Sequence, residues 1–127
     1  MSRFNFGSFR MVLNAHQNVI IFFLFAINLL FMVLSNAGFK LSTQSGSLRG
    51  FITWQVVGNL AGFVTVLALT GLLHYIPLHV AFPVTTGLAV IGTQMLAGRL
   101  YFSEVISPVH WFGTIIIVIG IVFLTWR

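Results

Sequence analysis

Charge is what this chain has least of. Asp, Glu, Lys and Arg make up 6% of its 127 residues, against about 25% in an ordinary soluble domain. Six Lys or Arg, one acid and four His cannot cover the surface of a globule this size, so a water-soluble fold is excluded and most apolar surface must face lipid. Cysteine is absent. That removes disulfide scaffolds, thiol chemistry and thiolate metal sites, and leaves the redox compartment open. The 12 glycines show no triplet period, which excludes collagen, and the high hydrophobicity excludes disorder.

What remains is oil: 58% hydrophobic residues, 14 of them Phe, with a mean hydropathy of +1.05. Crossing about 30 Å of hydrocarbon at 1.5 Å per residue takes about 20 apolar residues. Four runs of about that length lack Lys, Arg, Asp and Glu: about 18–39, 51–73, 80–97 and 109–126. Thr114 to Leu124 is apolar on every face, which fits a helix in lipid and contradicts the in/out alternation of a membrane barrel. The expected fold is an all-α membrane protein, a four-transmembrane-helix bundle with short loops, forming a single domain over 1–127 with no separate extra-membrane domain.

The connections carry their own signals. Lys40 to Gly50 is rich in Ser, Thr, Gln and Gly and reads as a loop. Pro77 within His74 to His79 should end the second helix near Tyr75. Ser107-Pro108 reads as a helix start, with the Ser hydroxyl accepting a free N–H of the first turn and Pro at the first helical position. Arg3 and Arg10 before an apolar stretch ending Ser35-Asn36-Ala37 imitate a signal peptide; the expected form is an uncleaved first helix. The segment Met1 to Leu13, with Phe4, Phe6 and Phe9, either lies in the membrane interface or frays.

A charge of +5 would suggest nucleic acid in a soluble protein. Here the six cations sit singly at the ends of apolar runs, where they reach lipid headgroups, and nucleic acid is not expected. With four helices both termini share a side, so Arg3, Arg10 and Arg127 oppose Lys40, Arg49 and Arg99, three against three. Charge alone therefore leaves the orientation open. Either both orientations insert and pair antiparallel, or a partner subunit imposes one; weighting the N-terminus places Arg3 and Arg10 in the cytoplasm.

Small residues mark faces where helices can approach closely. Gly58 and Gly62 form G-x-x-x-G, Thr85, Ala89, Thr93 and Ala97 repeat every four residues, and Gly113 and Gly120 give the last helix a smooth stripe. Such faces on three helices point to oligomerisation, as a homodimer or a heteromer.

No helix interior holds an ionisable acid or base, which disfavours proton-coupled antiport. The polar groups are neutral. Asn28 and Asn36, eight apart and roughly on one face of the first helix, Asn59 on the second, and Thr86 and Gln94 on the third are the candidate lining of a crevice that a polar headgroup crosses; interhelical hydrogen bonding is the alternative role for these groups and for Gln55, Thr85 and Thr93. Pro83 lies near the start of the third helix or just inside it, where it would kink the chain. His16, His74, His79 and His110 lie near helix ends. The 74/79 pair straddles Pro77, so no metal pair is expected, and no cofactor is indicated. Glu104, the one acid, is expected to pair with Arg99 or to favour the N-terminus of the last helix. No Ser/His/acid or phosphate-loop constellation is present, so the reading is not enzymatic.

From Tyr75 onward the chain, "YIPLHVAFPVTTGLAVIGTQMLAG" and "YFSEVISPVHWFGTIIIVIGIVFL", resembles the four-helix class of the drug/metabolite transporter superfamily. The Ile-Pro turn, Ala81-Phe82-Pro83, Glu104, Ser107-Pro108, Trp111, Gly113 and Gly120 look most like the small subunits of the aminoarabinose-phosphoundecaprenol flippase, and "SNAGFKLS" with Lys40 is similar to the superfamily's polar-x-x-x-Lys ending. The resemblance implies flippase-like translocation of a lipid-linked sugar or other amphipathic lipid, by a dimer or pair of subunits, and a multi-pass protein of the bacterial inner (plasma) membrane. The small multidrug resistance exporters of the same superfamily carry an essential Glu in the first helix. Matching on Lys40, its place falls near Met32, which argues against proton-driven drug export. A non-transporting accessory or structural subunit of a larger membrane complex is the competing expectation.

Overall fold

The computed structural model describes residues 15–96, 99 and 101–126. Within them lie four helices and no strands, all four long and apolar enough to cross a membrane. The four-helix all-α membrane fold read from composition is borne out. We label the helices α1 (Ala15–Gln44), α2 (Leu48–Tyr75), α3 (Leu78–Met95) and α4 (Pro108–Thr125). The N-terminal segment expected at the interface, and Ala97, lie outside the described residues.

The first hairpin is longer than its apolar runs. Much of the polar stretch after Lys40, expected as loop, is helix: α1 continues to Gln44 and α2 begins at Leu48. The hydroxyls allow this by turning back on their own helix, Ser42 Oγ donating to the Phe39 carbonyl at 2.6 Å and Thr43 Oγ1 to that of Lys40 at 2.7 Å. Only Ser45, Gly46 and Ser47 connect the helices. Ser47, extended at φ −137° and ψ 152°, caps α2 by accepting from Gly50 N at 3.1 Å.

The second turn is set by proline. Ile76 precedes Pro77 and is extended, at φ −129° and ψ 143°, because the following ring excludes it from the helical region. So α2 stops at Tyr75, and the Pro77 carbonyl accepts from Val80 N and Ala81 N at 3.0 Å to start α3. Pro83 lies inside α3, at its sixth residue, and leaves the His79 carbonyl without a helical donor. Pro108 opens α4 as expected of an N1 proline, but the Ser107 hydroxyl makes no capping bond. Its partner is His110 Nδ1, at 2.7 Å.

Apolar burial cannot hold helices together in lipid, whose tails are as apolar as the side chains, so close approach and hydrogen bonds must. The core reflects this. Ala61, Ala68, Ala81, Ala89 and Leu72 are its buried hydrophobic residues, with Asn28, Ser35, Ser42, Thr65, Thr85 and Thr114 buried among them. α1 and α2 approach closely at Gly38 and Gly58, where a Cβ on Gly38 would stand 3.0 Å from the Gly58 backbone. Ser35 Oγ donates to the Gly58 carbonyl at 2.7 Å and lies 3.3 Å from a Cβ placed on Gly62, so both glycines of the G-x-x-x-G face α1. Further down, Asn28 Nδ2 donates to the Thr65 carbonyl at 3.0 Å.

α3 lies on α1 through Gly92, against Val33 and Leu29. Of its small-residue repeat, Thr85 and Ala89 are buried and Thr93 is half-buried. α4 leans on α3 through Ile121 against Gly87, and Thr114 is its one buried residue. Gly113 and Gly120 pack on nothing: a Cβ at either would meet open space. The stripe expected on α4 is therefore not an intrachain contact.

Substituting Gly38→Ala should weaken the bundle by about 1–3 kcal/mol, because the new methyl meets backbone that cannot yield. Gly120→Ala should leave stability essentially unchanged or slightly raised. Unfolding in mixed detergent micelles checks both, and equal effects at the two positions would refute this account of the α1–α2 contact.

Candidate functional site: a one-sided cleft

Between α1, α3 and α4 lies a cleft of about 800 Å³, within the size range of small-molecule sites. On α4 it runs from Val109 to Ile117, eight residues or about 12 Å at helical rise. That is less than half of a hydrocarbon layer of about 30 Å. Below it Ile121 closes on Gly87. The cleft therefore opens at the end of the bundle that carries the α3–α4 connection and ends within the bundle.

Its polar groups descend in tiers. At the mouth Lys40 Nζ stands 2.8 Å from Glu104 Oε1, both side chains nearly half exposed. A pair this wet contributes roughly 0–1 kcal/mol to stability, so the fold does not depend on it. His110, held by Ser107, lies beside it on the cleft wall. One turn further in, Asn36 Nδ2 donates to Thr93 Oγ1 at 3.1 Å. At the same level the Thr114 hydroxyl donates to Gln94 Oε1 in a short contact and lies 3.0 Å from the His110 carbonyl. Deepest are Thr86, Met32, Val90 and Ile117.

Among the described residues, Asn36 Oδ1, Gln94 Nε2 and the Thr86 hydroxyl bond to no other side chain or backbone group. Below the mouth the cleft thus offers an acceptor, a donor and a hydroxyl, and no formal charge. Such a wall suits the hydroxyls of a neutral polar headgroup. A fixed ion would find no counter-charge there.

Three of the five expected lining residues, Asn36, Thr86 and Gln94, meet in this cleft. Asn28 and Asn59 do not. Eight residues at 100° each leave Asn28 about 80° around α1 from Asn36, so Asn36 faces α3 while Asn28 is buried against α2, 1% exposed. There the Asn28 carbonyl oxygen, Oδ1, has no partner. Asn59 is exposed on α2, with Nδ2 donating to the Gln55 carbonyl at 2.8 Å. Glu104 pairs with Lys40, in place of the expected Arg99 or helix terminus: folding brings the end of α1 onto the connection, a neighbour that sequence distance hides.

Thr114, His110 and Glu104 join the site without having been expected there. Thr114 reads as part of an apolar run, yet it is the hydroxyl nearest the start of that run, one turn from His110. No group of three His, Cys, Asp or Glu that could hold a metal occurs among the described residues.

Thr114→Val keeps shape and removes the donor to Gln94. We expect a loss of about 0.5–1.5 kcal/mol, against no measurable change for Asn59→Ala, both followed by thermal unfolding in detergent. A neutral result at Thr114 would remove the Thr114–Gln94 bond from the elements that shape the cleft.

Comparison with family models, with curated proteins and with solved structures yields no match, so the reading of this site rests on its own residues.

Proposed function

We propose that this multi-pass membrane protein is a flippase-like transporter subunit that moves the headgroup of a lipid-linked sugar, or of another amphipathic lipid, through the cleft while the tail stays in hydrocarbon. The observation that carries the reading is the cleft's gradient: charged at the mouth, neutral and hydrogen-bonding one turn in, and mostly apolar at its floor, where Thr86 supplies a single hydroxyl. Asn36, Gln94 and Thr86 would exchange hydrogen bonds with headgroup hydroxyls. The resemblance to the drug/metabolite transporter superfamily and a place in the bacterial inner membrane belong to the same proposal.

A cleft that ends within the bundle does not by itself make a path. In this reading a second wall comes from another copy or a different membrane subunit, and alternation between two such half-paths carries the headgroup across. Met32, at the position where the multidrug exporters' acid would fall, lines the cleft, and a thioether neither binds nor releases a proton at this depth. That disfavours proton-driven drug export.

One observation favours a second reading, an accessory subunit without transport of its own. α4 buries only Thr114 and exposes Val109, Phe112, Ile115, Ile116 and Phe123, a broad apolar face on which a larger complex could build. The mass of the intact assembly in detergent separates the two readings, since fixed stoichiometry with larger subunits supports the second.

Translocation of a fluorescent polyisoprenyl-phosphate sugar in liposomes, with any candidate partner subunit supplied, tests the first. Asn36→Ala and Gln94→Ala should each slow it by about five- to tenfold, the worth of one headgroup hydrogen bond, and Asn59→Ala should leave it at the parental rate. Headgroup movement no faster than in protein-free vesicles defeats the proposal.

A further inference from the structure

We propose that the Lys40–Glu104 ion pair is a latch across the mouth of the cleft, and that its opening is what admits a ligand. Among the described residues it is the one ion pair. Among the same residues it is also the one polar tie between α1 and anything beyond α3: the other side-chain bonds of α1 go to its own carbonyls, to α2 or to Thr93. Glu104, Val105 and Ile106 line the cleft, and Val105 is 98% exposed. Residues 104–106 therefore edge the mouth, with Val105 turned out of the bundle.

The two sides of the latch differ in firmness. Lys40 stands on α1, which is seated against α2 by the Gly38–Gly58 approach and by Asn28, Ser35 and Ser42. Glu104 stands on a segment that leads into α4, whose single buried residue is Thr114. Release of the pair therefore moves the connection and leaves α1 in place. Next to Glu104, Ser103 has φ 49°, a left-handed conformation that a non-glycine residue leaves readily unless a neighbouring contact holds it. Because both partners are half exposed and weakly bound, a polar headgroup, water or salt can compete for either one at little cost.

The purpose of the latch rests on the reading of the cleft as a headgroup path; its test does not. A single thiol at Gly113→Cys reports the cleft interior, since a Cβ there meets open space on the cleft wall and the chain has no other cysteine. A thiol at Gly46→Cys on the hairpin tip, also in open space, serves as control. The full chain is reconstituted in phosphatidylcholine vesicles and exposed to a water-soluble maleimide.

Lys40→Glu or Glu104→Lys should raise labelling at Gly113→Cys roughly two- to fivefold, as expected for losing a half-exposed pair and gaining like charges. The exchange of both, K40E with E104K, should return it to the parental rate. Salt at 1 M should raise the parental rate, because counter-ions compete for both half-exposed partners, and should lower that of the single variants, whose like charges it screens. Labelling at Gly46→Cys should not change.

The latch is overturned if the exchanged pair labels as fast as the single variants, or if neither salt nor charge reversal alters the parental rate. The salt arm needs no charge variant and so stands even where a variant fails to fold. Translocation measured in the same vesicles separates the two claims: a responsive mouth without headgroup movement leaves the latch and removes the transport reading, while movement through an unresponsive mouth does the reverse.

Discussion

The constraint on which this structure depends is that hydrocarbon gives neither water for its polar groups nor a hydrophobic drive for its helices. Both consequences are visible at one place. Where α1 meets α2, Gly38 and Gly58 bring two backbones so near that a methyl would not fit, and Ser35 uses that nearness to reach the Gly58 carbonyl. Remove the close approach and the hydrogen bond has no geometry. Remove the hydrogen bond and a buried hydroxyl must turn back on its own helix. The two interactions are therefore one contact, and the rest of the bundle is hung on the hairpin it makes.

The cleft is where this economy of contact is suspended. Many hydroxyls outside it are absorbed by their own helices, as Thr65 is by Ala61, Thr70 by Val66 and Thr85 by Ala81, while Ser35 and Gln55 tie α1 to α2. Around the cleft, side chains bond instead to side chains of other helices: Asn36 to Thr93, Thr114 to Gln94, Lys40 to Glu104. Such bonds leave part of each amide unused, and an unused amide function in an apolar surrounding costs free energy until something polar meets it.

Much of the fold was legible because a transmembrane helix writes itself in composition. Uninterrupted apolar runs and the prolines at 77 and 108 locate four helices and two of their boundaries. Ser42 and Thr43 misled because a hydroxyl serves a loop and a helix end equally well, and only the back-bonds decide which. The site was legible by residue type and illegible by direction. Asn28 and Asn36 look equivalent in one dimension, yet the 80° between them sends one into the hairpin and the other into the cleft. Glu104 found Lys40 across 64 positions of chain, a neighbour that no local pattern announces.

Helix length supplies the last step. α1 and α2, at 30 and 28 residues, measure about 45 and 42 Å, whereas α3 and α4, at 18 each, measure about 27 Å. The hydrocarbon layer matches the short pair, so the hairpin must tilt or stand proud of it. At its projecting end it carries Lys40, Ser42 and the Ser45-Gly46-Ser47 turn. Beyond Met95 the backbone stays helical at Leu96 and Arg99 in wider, π-type turns, and Glu104 meets Lys40 at this end of the bundle. The mouth of the cleft thus joins unequal sides: a long, tightly packed hairpin carries Lys40 on one, and the segment leading into the sparsely buried α4 carries Glu104 on the other. Shortening the hairpin to the length of its partners would lower Lys40 into hydrocarbon, where an unpaired ammonium is costly, and the cleft would lose its polar edge.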